Sequence, residues 1–147
     1  MAAHWSSEEV WQHLHEIQLH KPFTIGMEKW FPLEPAMTVL EPGSGTGSLS
    51  AFVAKRWQVR AICLDFIAEA LSVARKKFLE EGVTADLIQA DIRYLPFKDG
   101  AIDLVFNQGV IEHFAMPDRQ AVVDEMARVS RKYVAIFVPN SLNPFRA

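Results

Sequence analysis

Acidic residues and one glycine-rich segment lie between residues 41 and 91. Glu41 directly precedes the segment 42–47 (PGSGTG), and Asp65 and Asp91 follow at the ends of two later apolar runs. Glycines let a backbone turn tightly and let a ligand approach without an intervening side chain. Carboxylates accept hydrogen bonds from hydroxyl, amine and ammonium groups. The pattern therefore predicts a binding site for a polar ligand that carries such donors.

The glycine loop differs from the loop that binds dinucleotides. The dinucleotide pattern G-x-G-x-x-G would require glycine at position 48, where the sequence has Ser48. Glu41 would also repel a pyrophosphate, whereas a carboxylate at this place suits an ammonium group. Both features disfavour a nucleotide-dependent dehydrogenase.

Each of the three acids has a predicted partner within one ligand. Glu41 suits an ammonium group, and Asp65 can accept hydrogen bonds from both hydroxyls of a ribose. Asp91 can accept from an adenine amino group, with Phe66 and Ile92 supplying apolar contacts to the ring. Each acid alone could equally be a solvated residue at a strand end. Together they predict a ligand with an ammonium, a ribose and an adenine, and no phosphate.

The elements that would position these residues alternate between strands and helices. Apolar runs predict strands at 38–41, 59–65, 86–91, 102–107 and 133–138. Amphipathic patterns predict helices at 7–20, 48–57 and 67–82 and a helix that starts near Pro117. Such alternation is typical of βαβ units, so we expect an open, doubly wound α/β sheet with helices on both faces. In such sheets the ligand lies at the carboxyl ends of the strands.

Composition narrows the function classes further. The chain has 147 residues, 22% of them charged, and a net charge of −3, so no basic footprint for nucleic acid exists. No apolar run is long enough to span a membrane, and the N-terminus does not resemble a signal peptide. The single cysteine, Cys63, cannot form an internal disulfide, and we expect a cytoplasmic location. The N-terminal histidines lack a firm metal-ligand spacing, so we expect no metal site.

The sequence resembles the class I S-adenosylmethionine (SAM)-dependent methyltransferases, and in particular the small-molecule group called methyltransferase type 11. The matching segments are 39–48 (VLEPGSGTGS), 62–71 (ICLDFIAEAL), 90–106 (ADIRYLPFKDGAIDLVF) and 109–114 (GVIEHF). The resemblance implies a Rossmann-like sheet of five parallel strands in the order 3-2-1-4-5. It also implies SAM as the cofactor and S-adenosylhomocysteine as its product.

The resemblance further implies roles for individual residues. Glu41 would face the methionine end of SAM, Asp65 would bind the ribose, and Asn107 would lie near the reacting methyl group. Asp91 and Ile92 would bind the adenine side. The loop itself would be formed by Gly43, Ser44, Gly45 and Gly47.

The sequence departs from the family at its C-terminal end. The family fold has seven strands, whereas five are predicted here and the usual C-terminal antiparallel hairpin is missing. We therefore expect a truncated or split chain, with an N-terminal helical lid at 1–37 and a SAM-binding core at 38–147. If the chain is instead complete, the strand at 133–138 has an uncovered edge, and such edges pair with other chains. We would then expect a homodimer or a partner chain at this edge.

The expected reaction is methyl transfer to a small-molecule acceptor by in-line displacement. His113 is a candidate general base or acceptor-positioning group, and the alternative is a hydrogen-bonded structural histidine. The alternative function is a SAM-binding module that is inactive without a partner or its missing C-terminal segment. The acceptor itself stays open at this point.

Overall fold

The computed structural model describes residues 27–138. Strands and helices alternate along this part of the chain, except that residues 90–101, between the third and fourth strands, form turns and no helix. The strands are β1 (Thr38–Pro42), β2 (Arg60–Asp65), β3 (Ala85–Gln89), β4 (Ile102–Gln108) and β5 (Ser130–Phe137). The helices that follow residue 37 are α1 (Ser48–Trp57), α2 (Ala68–Glu81) and α3 (Asp118–Val129), with a 3₁₀ helix at Ile111–His113. Residues 27–30 are also helical.

The five strands form one parallel sheet in the order β3-β2-β1-β4-β5. β1 is central, with Leu40 level with Ile62 on β2 and with Val105 on β4. The predicted Rossmann-like, doubly wound α/β sheet with this strand order is confirmed. The strand order reverses between β1 and β4, and in such sheets the ligand crevice lies beyond the carboxyl ends of the strands at this point.

Successive residues of β1 show how helices cover both faces of the sheet. Val39 packs in one cluster with Val53 of α1, whereas Leu40 packs in another with Met126 of α3. Because neighbouring side chains on a strand project to opposite faces, α1 and α3 lie on opposite sides. α2 lies beside α1, where its Phe78 joins a third cluster. Both faces of the three inner strands, β2, β1 and β4, are therefore buried, as their nearly continuous apolar runs predicted, whereas the outer strands β3 and β5 are partly exposed.

The third strand ends two residues earlier than predicted. β3 ends at Gln89, so Asp91 lies two residues beyond the strand and not at its last position. The reason is local, because the Asp91 carboxylate accepts a hydrogen bond of 2.9 Å from the backbone N–H of Arg93. Such side-chain bonds to the backbone two residues on start turns and compete with strand pairing.

The fifth strand begins earlier than predicted. β5 starts at Ser130, directly after α3, whereas the apolar pattern placed its start at residue 133. The start of this strand has no apolar pattern in the sequence, because Arg131 and Lys132 are charged. Arg131 pairs with the buried carboxylate of Asp103 on β4, which gives a charged residue a partner at the start of an edge strand.

The ends of the chain carry predictions that lie outside the described residues. These are the helix at 7–20, most of the lid at 1–37, and the missing hairpin beyond β5. Of the proposed lid, Met27 and Leu33 are described, and both pack in the cluster on the α1 side of the sheet. Within residues 27–138, no helix has the length and apolar character needed to cross a membrane.

Candidate functional site

The glycine loop between β1 and α1 is held against β2 by backbone hydrogen bonds. The N–H groups of Gly43 and Ser44 both donate to the carbonyl oxygen of Leu64, at 2.7 and 3.1 Å. Gly47 then donates to the carbonyl oxygen of Ser44 at 2.9 Å, which closes the loop on itself. Ser44 is 6% exposed, and its side-chain Oγ is buried without a hydrogen-bond partner among the described residues.

Two of the loop glycines are required by close packing inside the protein. A Cβ atom at Gly43 would lie 2.9 Å from Cγ2 of Val110, in the segment after β4. A Cβ atom at Gly47 would lie 2.8 Å from the Cβ of Ala74 on α2. Both glycines also have positive φ angles, 76° and 73°, which side chains disfavour. The loop is thus confined between α2 and the segment after β4.

Asp65, the last residue of β2, binds the loop from the side. Its Oδ2 accepts a hydrogen bond from the N–H of Gly45 and its Oδ1 accepts one from the N–H of Ile67, both at 2.9 Å. Burial raises the pKa of Asp65, although these N–H groups oppose the effect. Each carboxylate oxygen retains a second acceptor position. Asp65 can therefore hold the loop and still accept hydrogen bonds from a ligand, a double role that the sequence did not indicate.

Glu41 lies beneath the loop and is 3% exposed. Its Oε1 accepts a hydrogen bond of 2.6 Å from the Ser50 hydroxyl of α1. Burial raises the pKa of Glu41 to about 8, and the nearby negative charge of Asp65 adds to this effect. Sequence reasoning missed Ser50, although a small polar residue on the inward face of the predicted helix, next to Ala51, was a usable signal.

The carboxylate of Asp91 is already engaged by a neighbour. Besides its backbone N–H, Arg93 donates from Nη2 to Oδ2 of Asp91 at 2.7 Å, and these bonds lower the pKa of Asp91. Arg93 also pairs with Asp118 at the start of α3, at 3.2 Å. The loop after β3 is therefore tied to α3 through Arg93, which the sequence analysis did not single out.

The two residues predicted to flank an adenine lie in different environments. Phe66, directly after β2, is 61% exposed. Ile92 is 6% exposed and packs in the core cluster that contains Leu40 and Val105. An exposed ring beside the crevice can contact a ligand, whereas the side chain of Ile92 chiefly fills the core.

The last two residues of β4 each carry a buried amide oxygen. Asn107 is fully buried, and its Nδ2 lies 3.3 Å from Sδ of Met126 on α3. Within the described residues, Oδ1 of Asn107 and Oε1 of Gln108 have no hydrogen-bond partner. Gln108 was not among the residues that the sequence indicated.

His113 lies at the end of the 3₁₀ helix and is exposed. Its backbone N–H donates to the carbonyl oxygen of Val110 at 3.1 Å. This bond ties His113 to the residue that packs on Gly43. Arg119 fastens the same segment through hydrogen bonds to the carbonyl oxygens of Ile111 and Phe114. In the part of the chain between residues 27 and 138, no group of acids, histidines or cysteines could hold a metal ion.

The family model described as a methyltransferase domain matches residues 39–133. Phosphatidylethanolamine N-methyltransferase of Cereibacter sphaeroides is 38% identical over 104 residues, which are 69% of this chain and 49% of that protein. Norajmaline N-methyltransferase of Rauvolfia serpentina is 32% identical over 103 residues, 67% of this chain and 34% of that protein. The chain thus spans about half or less of the length of these relatives.

Solved structures show the same fold. A putative SAM-dependent methyltransferase from Methanococcus maripaludis has a TM-score of 0.75 at 21% identity, covering 88% of this chain and 64% of that chain. A SAM-dependent methyltransferase from Aquifex aeolicus has a TM-score of 0.73 at 22% identity, covering 88% of this chain and 71% of that chain.

The residues of the site fit SAM as their ligand. Glu41 offers a buried carboxylate to an ammonium group, and no basic side chain of the described residues compensates its charge. Asp65 offers acceptor positions to a ribose beside the loop that it holds. Because the family model matches well over half of the sequence, the chain belongs to the methyltransferase domain family, and SAM is the cofactor that this family and fold imply.

Proposed function

We propose that the protein binds SAM at the carboxyl ends of its strands and transfers the methyl group to a small-molecule acceptor. The observation that carries the proposal is the hydrogen bond between Gly45 and Asp65, because it joins the glycine loop to the acid expected to bind the ribose. Glu41 lies beneath the same loop, so acceptors for a ribose and for an ammonium group border one crevice. The proposed cofactor contacts are Glu41, Gly43, Ser44, Gly45, Gly47, Asp65, Phe66, Asp91, Ile92 and Asn107.

The main task of the protein in this reaction is orientation. SAM, held by the glycine loop, Glu41 and Asp65, would supply an activated methyl group for in-line displacement by the acceptor. Holding the reacting atoms at the right distance and angle supplies a large part of the rate enhancement in such reactions. The loop, clamped by Gly43 against Val110 and by Gly47 against Ala74, is suited to hold the cofactor in one position.

The acceptor proposal rests on the relatives and on His113. Relatives include sarcosine/dimethylglycine N-methyltransferase of Halorhodospira halochloris and trans-aconitate 2-methyltransferase of an Azoarcus species, whose names specify small molecules. His113 is exposed next to the loop-contacting segment, where its imidazole would position the acceptor or take the proton that the acceptor loses.

Calorimetric titration with S-adenosylhomocysteine tests the cofactor site, with NAD as the control ligand. We expect one S-adenosylhomocysteine per chain and no binding of NAD. In Asp65→Ala the affinity should fall by roughly tenfold or more, because hydrogen bonds to a charged acceptor are lost. Binding of NAD, or unchanged affinity in this variant, would refute the assignment. Tight cofactor binding without turnover on any acceptor would favour the alternative of a non-catalytic SAM-binding module.

We also propose that a second copy of the chain or a partner chain covers the edge at 133–138. β5 ends the sheet within the described residues, and Val134 on this strand is 38% exposed. Exposed apolar edge strands readily pair with other strands. Light scattering should give a mass above that of the monomer, and Val134→Lys should lower it. A monomeric wild-type protein would contradict the proposal of a homodimer.

A further inference from the structure

Gln108 lies on the α1 side of the sheet, as the packing of β4 shows. Leu104 and Phe106 belong to the cluster that contains Val53 of α1. Side chains two residues apart on a strand share a face, so Gln108 continues the row that Leu104 and Phe106 begin. Its register partner on β5, Phe137, packs on the same cluster. Asn107, by contrast, contacts α3 on the opposite face.

Glu41 lies on the same face as Gln108 and slightly deeper. Val39 is level with Leu104, so Glu41 is level with Phe106 by continuation of the parallel register. Gln108 is therefore one side-chain repeat further along, about 7 Å towards the end of the strands. At this height β1 has already passed into the glycine loop, since β1 ends at Pro42. The two acceptors thus border the same part of the crevice, one carboxylate below and one amide above.

The amide oxygen of Gln108 is short of a partner. The atom is buried, and no donor within the described residues reaches it. A buried acceptor without a hydrogen bond destabilises a protein, and such atoms in native proteins commonly receive their bond from a ligand or a water molecule. The place of this oxygen at the crevice indicates a donor that arrives with the ligand.

We propose that the amide oxygen of Gln108 accepts a hydrogen bond from the ammonium group of the cofactor, which Glu41 binds from below. This inference rests on the proposed function. An ammonium group has three N–H donors, so it can serve both acceptors at once. A neutral amide adds an acceptor without adding another negative charge near Glu41 and Asp65, which already repel each other in the buried site. Gln108 is thus a second residue, besides Glu41, that recognises the methionine end of the cofactor.

The test compares two ligands that differ only at this end. S-adenosylhomocysteine carries the ammonium group, whereas 5′-methylthioadenosine has a methyl group in place of the amino-acid chain. Gln108→Met keeps the length of the side chain and removes the acceptor. We expect it to weaken binding of S-adenosylhomocysteine by roughly tenfold or more and to leave that of 5′-methylthioadenosine within about twofold. Gln120→Met is the matched control, because Gln120 is exposed on α3 and bonds Asp124.

Two further readouts separate ligand binding from a structural role. Gln108→Glu restores an acceptor and should bind S-adenosylhomocysteine better than Gln108→Met. Without ligand, Gln108→Met should melt at the wild-type temperature or above, because it removes an unpaired buried oxygen. Equal losses for both ligands, a lowered melting temperature, or unchanged affinity would overturn the role of Gln108. Failure of the wild type to bind S-adenosylhomocysteine would instead overturn the proposed function and, with it, this inference.

Discussion

Ser50 donates a 2.6 Å hydrogen bond to Glu41, so the helix that follows the glycine loop holds the acid that precedes it. The loop between these residues is anchored at both ends by this bond. Glu41 is nonetheless buried without a compensating positive charge from the described residues. This burial raises the pKa of Glu41 into the range of neutral pH.

The free energy of unfolding should fall as pH rises, because of Glu41. Its pKa is raised by burial from 4.5 to about 8, so between these values the folded state holds a proton that the unfolded state has lost. Stability from this group is therefore complete below about pH 4.5 and is lost up to about pH 8. Relative to Glu41→Gln, the wild type should lose about 1 kcal/mol per pH unit in urea unfolding over this window. Parallel profiles for the two proteins would show that Glu41 is ionised in the folded state.

Cofactor binding should release a proton from Glu41. Near pH 7 the carboxyl is largely protonated in the unliganded protein, whereas an ammonium group beside it favours the carboxylate. Calorimetry with S-adenosylhomocysteine in buffers of different ionisation enthalpy should give roughly one proton released per chain at pH 7. Glu41→Gln should show no such release. Equal release from both proteins would assign the proton to another group.

Gly47→Ala should destabilise the protein far more than Gly82→Ala. Both glycines have left-handed φ angles, 73° and 67°, so both variants carry a backbone penalty of about 1–2 kcal/mol. Only at Gly47 would the added Cβ collide, at 2.8 Å from Ala74, whereas nothing lies within 4 Å at Gly82. Overpacking adds about 1–3 kcal/mol, measurable by chemical denaturation. Similar losses for both variants would mean that α2 shifts freely away from the loop.

Arg128→Ala should loosen the segment between β3 and β4. The Arg128 guanidinium donates to the carbonyl oxygens of Phe97 and Leu95, at 2.9 and 3.0 Å, and pairs with Glu125 on α3. Losing these charged hydrogen bonds should lower the free energy of unfolding. Arg60→Ala is the matched control, since its exposed pair with Asp86 should contribute less than about 1 kcal/mol. Hydrogen exchange at Leu95 should rise only in Arg128→Ala, and equal exchange in both variants would contradict the clamp.

The sheet could be predicted from the sequence because its strands are apolar runs separated by helical patterns. α1 was predicted at 48–57, as it is found, because its periodicity and its boundaries are both local. β5 was predicted too short because the ion pair of Arg131 with Asp103 joins residues distant in sequence. Such contacts leave no periodic signal.

The site was predicted less completely for the same reason. The acids and glycines proposed to line the crevice are visible in the sequence as residue types near strand ends, and their cofactor contacts stay predictions. Their partners are not visible in this way, because Ser50, Arg93 and Gln108 gain significance only when the fold brings a second element to them. Whether each predicted residue touches the cofactor stays a prediction for the titrations above.

The contact between Gly43 and Val110 links the two sides of the crevice mechanically. The segment that carries His113 begins at Val110, the residue that packs on the glycine loop. A Cβ at Gly43 would lie 2.9 and 3.1 Å from the two methyl groups of Val110, so a displacement of one side is transmitted to the other through this side chain. A substitution of Val110 would therefore alter the glycine loop and the segment carrying His113 together.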